Sequence, residues 1–178
     1  MACTPVIETK RLLIVPFTEE YLTLRYLSWL NDPEVVRYSE QRFHPHTLES
    51  CRAYWNSFNG TPNYFWAIMM RASQPEHIGN MNAYVDTVPQ TADIGILIGE
   101  RSKWGQGYGI EAWLAVCNYL LYQTKIQKIT AGTLSVNKAM LKIMRKAGMV
   151  TDDQIPPQCV IFEGQEVEVI RSTLQKNK

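Results

Sequence analysis

The feature that most constrains the fold is a glycine-rich stretch at 104–109, Trp-Gly-Gln-Gly-Tyr-Gly, which lies between two apolar segments. The segment before it, 94–98, reads Ile-Gly-Ile-Leu-Ile and is typical of a strand buried on both faces. The segment after it, 110–123, has apolar residues at helical spacing. A strand, a glycine loop and a helix in this order favour phosphate binding, because glycine lets backbone N–H groups crowd around an anion and the helix N-terminus adds partial positive charge. An ordinary tight turn before a helix is the alternative.

The spacing of these glycines differs from two common phosphate-binding motifs. A dinucleotide-binding loop requires a third glycine where this chain has Ile110, and a P-loop requires Gly-Lys followed by Ser or Thr, which is absent. The run at 104–112, Trp-Gly-Gln-Gly-Tyr-Gly-Ile-Glu-Ala, instead resembles the pyrophosphate loop of the GNAT acetyltransferase superfamily. It is most similar to the RimJ/RimL-like branch, in which a residue such as Trp104 replaces the Gln or Arg of the superfamily pattern.

The composition is that of a soluble globular protein with one domain, over residues 1–178, since 46% of the residues are hydrophobic and 20% are charged. A formal net charge of +1 provides no general attraction to nucleic acid or to an anionic membrane. No apolar run approaches the roughly eighteen residues of a membrane span, and no signal-peptide pattern is visible. The four cysteines have no Cys-x-x-Cys spacing, which fits a reducing cytoplasm. We therefore expect a cytoplasmic monomer or homodimer.

Hydrophobic periodicity predicts strands and helices over nearly the whole chain. The predicted strands lie at 7–17, 64–71, 77–86, 93–100 and 128–135, with a closing hairpin at 158–163 and 166–174. The predicted helices begin at Thr18, 33, 47, 110 and 137, and the second of them is short and ends at 38. This order resembles the GNAT fold. The resemblance implies an α/β (α+β) domain whose mixed central sheet has about seven strands and about four flanking helices, with a splayed strand pair that holds acetyl-CoA.

The resemblance also implies which residues bind acetyl-CoA. Backbone groups of residues 96–98 would pair with the pantetheine arm, and backbone N–H groups of the glycine loop would hold the pyrophosphate. Lys103 flanks the loop, although a solvated charge is an equal alternative. Asn137 matches the family asparagine that contacts the cofactor arm, and it also stands at a helix N-cap position. The predicted cofactor-binding set is Ile96, Leu97, Ile98, Lys103, Trp104, Gly105, Gln106, Gly107, Tyr108, Gly109, Ile110 and Asn137.

Acetyl transfer to an amine requires the neutral amine, and only about one alkyl ammonium in a thousand is neutral at pH 7. No Ser-His-Asp or Cys-His spacing appears, so direct attack in a ternary complex is predicted, without an acyl-enzyme. Asp93 lies where the RimJ/RimL-like branch often has Glu, and it is the first candidate for the general base; a surface acid at a strand end is the alternative. Tyr84 is the second catalytic candidate and, with Asn82, shares one face of a neighbouring strand.

The sequence departs from the family pattern at two positions. Many GNAT enzymes carry a Tyr that reprotonates the leaving thiolate, but Met144 stands at that position here, and Met140 stands where the branch often has Ser. Neither side chain can donate a proton, so a non-catalytic acetyl-CoA sensor or scaffold is the alternative to an enzyme. The acceptor could be an amino sugar, including a nucleotide-linked one, or a protein N-terminal amine. No metal is expected, because His44 and His46 have no third ligand nearby.

Overall fold

The computed structural model describes residues 4–152 and 156–176. This part of the chain contains nine strands and four α-helices. The strands are β1 (Ile7–Glu8), β2 (Leu12–Pro16), β3 (Tyr64–Met70), β4 (Glu76–Asp86), β5 (Thr91–Ile98), β6 (Lys128–Leu134), β7 (Val150–Thr151), β8 (Gln158–Phe162) and β9 (Gln165–Gln175). The helices are α1 (Leu24–Leu30), α2 (Leu48–Asn56), α3 (Tyr108–Gln123) and α4 (Lys138–Lys146).

The strands form one mixed sheet in the order β1-β2-β3-β4-β5-β6-β9-β7, and β8 also pairs with β9. All pairs are antiparallel except β5–β6, which is parallel. The predicted mixed fold is therefore confirmed. The strands beyond the seven predicted ones arise because the strand expected at 7–17 is interrupted by a turn at 9–11, and because two residues after α4 add to the sheet as β7.

The parallel strands β5 and β6 separate after a short paired stretch. Their pairing is limited to Thr91 with Lys128, Ala92 with Ile129 and Asp93 with Thr130. Beyond this point β5 continues along β4, and β6 continues along β9. The two strands thus diverge and leave a gap in the sheet between 94–98 and 131–134, which is the splayed pair that the sequence predicts.

The two faces of the sheet carry different helices. Trp113, Val116 and Leu120 of α3 pack in the larger core, together with buried side chains of β2 to β6. Trp29 of α1 and Cys51 of α2 pack on the opposite face in an aromatic-rich core. Because successive side chains of a strand point to opposite faces, the side chains of β5 divide between the two cores: Ile94, Ile96 and Ile98 pack on the α3 face and Leu97 on the α1–α2 face.

The first helical segment begins later than predicted. Thr18 precedes only a short 3₁₀ turn, and α1 begins at Leu24, where the Thr23 hydroxyl accepts a hydrogen bond from the Tyr26 N–H. Leu22 lies between the two with a ψ of 64°, which a helix cannot accommodate.

The short helix predicted at 33–38 is wrong. This segment forms turns, and a 3₁₀ helix follows at Glu40–Phe43. One turn does form, because Asp32 Oδ1 accepts the Glu34 N–H at 2.9 Å and the Asp32 carbonyl accepts the Val36 N–H at 3.1 Å. The turn is not continued as a helix, since the chain goes on with a tighter bond from the Ser39 N–H to the Val36 carbonyl. No helix in the part of the chain that the structure describes is long and apolar enough to cross a membrane.

Candidate active site

The glycine-rich loop joins the end of β5 to the start of α3 and leaves backbone donors free. Gly105 and Gly107 have φ values of 74° and 84°, in the left-handed region that glycine adopts without strain. Gly107 is the N-cap of α3, and the first bond of the helix runs from the Glu111 N–H to the Gly107 carbonyl at 3.2 Å. Tyr108, Gly109 and Ile110 precede Glu111 in the helix, so their backbone N–H groups have no partner within it. A helix N-terminus with free N–H groups is a typical anion site, and pyrophosphate binding at this one stays a prediction.

Arg11, in the turn between β1 and β2, holds the loop in place through several contacts. Its backbone N–H donates to Glu111 Oε1 at 2.9 Å, and its Nε donates to Glu111 Oε2 at 2.6 Å. Its Nη1 donates to the Gln106 carbonyl at 3.0 Å, and the guanidinium lies 4.3 Å from the centre of the Tyr108 ring. The Thr9 hydroxyl completes the arrangement by donating to Glu111 at 2.7 Å. A loop and a helix N-terminus are thus fixed to a hairpin one hundred residues away.

Glu111 is a structural carboxylate in this arrangement. Burial of its carboxyl works against ionisation, but the hydrogen bonds from Thr9 and Arg11 outweigh that cost and hold the pKa of Glu111 below its ordinary value. The backbone N–H that Glu111 accepts belongs to Arg11 and not to the first turn of α3.

Lys103 and Trp104, both predicted to bind the cofactor, make contacts within the protein. Lys103 Nζ lies 3.0 Å from Glu76, and Arg25 bridges Glu76 and Glu100 at 2.6 Å each. The Trp104 indole N–H donates to the Ile98 carbonyl at 2.7 Å. These bonds hold the loop against β4, β5 and α1. A phosphate contact for Lys103 stays a prediction.

The free edge of β5 exposes alternate backbone groups to the gap. Gly99 donates its N–H to a carbonyl of β4, and a Cβ added to Gly79 of β4 would clash with the Leu97 carbonyl oxygen. Because backbone groups of a strand alternate in direction, Leu97 is turned toward β4, while Ile96 and Ile98 are turned toward the gap. Since the Ile98 carbonyl already accepts the indole of Trp104, Ile96 offers a complete donor and acceptor pair for an extended ligand.

Asn137 lies on the other side of the gap, between β6 and α4. Its side-chain oxygen accepts the Met140 N–H at 3.2 Å, and its amide nitrogen donates to the Thr133 hydroxyl at 3.0 Å. The predicted capping role is confirmed. The amide nitrogen has a second hydrogen, so a contact with a ligand in the gap is compatible with both bonds. Met144 is 2% exposed and packs in the α3-face core. Its thioether has no hydrogen to donate, so this position has no proton donor.

The structure brings the two predicted catalytic residues together where the gap opens. Tyr84 lies opposite Asp93 in the β4–β5 pair, and Asp93 lies opposite Thr130 in the β5–β6 pair. Residues in register point to the same face, so the three side chains are neighbours on the α1–α2 face. Asp93 is exposed, and its Oδ2 accepts the Thr130 hydroxyl at 2.7 Å. Tyr84 is 44% exposed, and its hydroxyl lies 2.9 Å from that of Tyr54.

Asn82 is the next polar side chain along β4 on the same face. It lies opposite Gly95, and a Cβ added there would come within 2.7 Å of Asn82 Oδ1, so the amide lies across the glycine. The predicted pairing of Asn82 with Tyr84 on one face is confirmed.

The loop between α1 and α2 packs against the hairpin of β8 and β9. Arg37 makes two hydrogen bonds of 3.0 Å with Glu163, and the Tyr38 ring stacks on Phe162 with centroids 5.6 Å apart. A groove of about 320 Å³ is lined by Leu30, Asn31, Pro33, Val36, Gln41, Arg42, Phe43, His44 and Pro45.

No group of three or more His, Cys, Asp or Glu side chains suited to a metal ion occurs within 4–152 and 156–176.

Sequence reasoning missed Arg11, Thr130 and Tyr54. Each acts through a partner far away in the chain, and a spacing pattern has no signal for such a pair. For Arg11, the segment 7–17 was predicted as one continuous strand, so both its turn and its partner Glu111 were missed.

A family model described as an acetyltransferase (GNAT) domain matches residues 11–150 of this chain, from the turn that contains Arg11 to β7. The chain belongs to the GNAT acetyltransferase family. It is an N-acetyltransferase, and acetyl-CoA is its donor. The free N–H groups of α3 and the open edge of Ile96 fit the pyrophosphate and the pantetheine arm of that donor.

Three similar proteins give this GNAT chain its context. Human alpha/beta-tubulin-N-acetyltransferase 9 is 26% identical over 149 residues, which cover 77% of this chain and 71% of the human protein. RimL, a ribosomal L7/L12 alpha-N-protein acetyltransferase solved in complex with coenzyme A, has a TM-score of 0.79 at 15% identity, covering 96% of this chain and 98% of RimL. Spermidine N-acetyltransferase from Vibrio cholerae, solved with CoA and spermine, has a TM-score of 0.81 at 13% identity, covering 94% and 97%. The two structural likenesses show a shared fold.

Replacing Arg11 with Gln should weaken coenzyme A binding about tenfold, or about 1.4 kcal/mol. The substitution removes the ion pair with Glu111 and the bond to Gln106 that hold the loop. Calorimetric titration measures the affinity. Arg52→Gln is the control, because Arg52 is similarly exposed (48% against 41%) and pairs with Glu19 away from the loop. Equal affinities for the two variants would show that Arg11 does not support the site.

Replacing Gly107 with Glu should abolish coenzyme A binding, because the carboxylate would lie at the free N–H groups of α3. Gly148→Glu is the matched control, since Gly148 follows α4 with a φ of 75° and an added Cβ there meets no atom within 4 Å. Both variants carry the same backbone strain, and only the first should lose binding in calorimetry. Loss of binding in both variants would assign the effect to strain.

Proposed function

We propose that this GNAT acetyltransferase transfers the acetyl group to the N-terminal α-amine of a protein, by direct attack in a ternary complex. Two of the similar proteins carry names that point to protein acceptors, the human tubulin N-acetyltransferase and RimL, the alpha-N-protein acetyltransferase. The loop sequence at 104–112 supports placing the chain in the RimJ/RimL-like branch. We infer a cytoplasmic enzyme that acts as a monomer or homodimer.

The observation that carries the proposal is the polar group beside the gap on the α1–α2 face. Asp93, Tyr84, Thr130 and Asn82 lie there, and Asp93 is the only acid among the four. Asp93 is exposed and Tyr84 nearly half exposed, so the end of a large molecule can reach them. A polyamine carries several positive charges and would be expected to meet several carboxylates at its binding site.

The energetics of deprotonation also favour an α-amine. Neutralising an alkyl ammonium of pKa about 10.4 at pH 7 costs roughly 4 to 5 kcal/mol, whereas an α-amine of pKa about 7.8 costs about 1 kcal/mol. A carboxylate in contact with water is a weak base and can assist only the easier of the two deprotonations efficiently. A site whose one acid is exposed therefore suits an α-amine.

The two faces of the sheet have different roles in the proposed reaction. On the α3 face, the free N–H groups of the helix and the backbone of Ile96 orient the donor. On the α1–α2 face, Asp93 accepts the amine proton through its second oxygen while Thr130 holds Oδ2. Met140 and Met144 provide no acid, and none is required, because a thiol with a pKa near 8.5 leaves readily as the thiolate.

The acceptor class can be tested with a panel of amines in a thiol-release assay. We expect release of coenzyme A with a peptide that has a free N-terminus and no internal lysine. The same peptide with a blocked N-terminus is the control and should give only background. Release with spermidine or an amino sugar but not with peptides would reassign the acceptor. Release with no amine, despite measurable acetyl-CoA affinity, would indicate a non-catalytic sensor.

Replacing Asp93 with Asn should lower kcat about a hundredfold and leave the KM for acetyl-CoA nearly unchanged, because only the base is removed. The remaining activity should rise with pH as the free α-amine deprotonates in solution. Asp86→Asn is the control, since Asp86 is exposed at the end of β4 and accepts the Val88 N–H. A kcat equal to that of the wild type would remove Asp93 from the mechanism.

A further inference from the structure

A pair of tyrosine hydroxyls lies beside the proposed attack site. The hydroxyl of Tyr54, from α2, is 2.9 Å from the hydroxyl of Tyr84, from β4. The bond crosses from the helix layer to the sheet and ends one strand away from Asp93, which lies opposite Tyr84 in register. It is the direct link between α2 and the polar group at the gap.

The ring of Tyr54 is held on two sides. It packs edge-on against Phe58 with centroids 5.2 Å apart, and edge-on against Phe65 with centroids 5.3 Å apart. The Tyr84 ring stacks on the same Phe58 with centroids 5.7 Å apart and an interplanar angle of 26°. Both rings thus share one buried neighbour, and Tyr84 is the more exposed of the two. A half-exposed side chain that is to act precisely needs a partner that restricts its hydroxyl.

The environment of Tyr54 keeps its hydroxyl protonated. Burial, together with the bond to Tyr84, raises the pKa of Tyr54 well above its ordinary value, so Tyr54 is a neutral hydroxyl over the working range of an enzyme. A hydroxyl provides one hydrogen and two lone pairs. When Tyr54 donates its hydrogen, Tyr84 retains its own hydrogen and one lone pair for a ligand.

We propose that Tyr54 is a positioning residue that fixes the hydroxyl of Tyr84 to orient the attacking amine. The inference rests on the proposed function. Asp93 is exposed, so it passes the ammonium proton to water and is again a carboxylate when the amine attacks. The neutral primary amine then has two N–H groups and one lone pair. One N–H points to the Asp93 carboxylate, and the other donates to the Tyr84 oxygen. The nitrogen lone pair is thereby directed to the thioester carbonyl in the gap. The C–N bond forms, the C–S bond breaks, the amine proton goes to Asp93, and neither tyrosine gains or loses a proton.

Tyr54→Phe tests this role, because it removes the hydroxyl and keeps the ring between Phe58 and Phe65. We expect kcat/KM for the acceptor to fall about tenfold while the KM for acetyl-CoA is unchanged. Tyr84→Phe should give a similar loss, and the double variant should be no worse than Tyr84→Phe alone, since Tyr54 acts only through Tyr84. A merely structural role for Tyr54 would give losses that add in the double variant.

Tyr64→Phe is the matched control, because Tyr64 is a buried tyrosine on the α3 face, where its ring stacks on Trp66. It should keep wild-type kinetics. This inference alone is overturned if the wild type is active and the Tyr54→Phe variant is equally active. Additive losses in the double variant would also overturn it. Where the wild type acetylates an amine of another class, the proposed acceptor is overturned and the same cycle is measured with that amine. A wild type inactive with every amine overturns both proposals.

Discussion

The interaction on which the active site depends is the pair between Arg11 and Glu111. Glu111 uses both carboxylate oxygens on Arg11, and the guanidinium continues to the Gln106 carbonyl and the Tyr108 ring. A glycine loop is costly to order, because glycine loses more backbone freedom than any other residue. These contacts order the loop before the ligand arrives, so its free N–H groups already point outward. A donor that binds here would meet a preformed anion site, which reduces the entropy cost of binding.

A second constraint is the early end of the parallel pairing at Asp93 and Thr130. The gap that follows gives Ile96 a free backbone edge, and it also connects the two faces of the sheet. In our proposal, backbone groups on the α3 face bind the donor, whereas side chains on the α1–α2 face bind the acceptor. This division would let one cofactor loop serve enzymes with different acceptors.

Much of the fold and of the donor site could be predicted from sequence, because the signals are local. The apolar run before Gly105, the helical spacing after Ile110 and the Asn137 cap all depend on neighbours within a few residues, and the structure confirms each of them. The helix predicted at 33–38 was wrong because the turn that Asp32 caps is not continued beyond Val36. The direction of the Leu97 backbone was missed because it depends on the pairing of β5 with β4.

The sequence by itself indicated the donor half of this protein, since glycine spacing and a helix start are local features that predict an anion site, and the resemblance of the loop implied acetyl-CoA. Only the tertiary structure decided the rest. It paired Arg11 with Glu111 across one hundred residues, placed Thr130 beside Asp93, and brought Tyr54 to Tyr84. Side-chain sites are assembled from strands and helices that meet only after folding, and their geometry is set by register and packing, which no local spacing records.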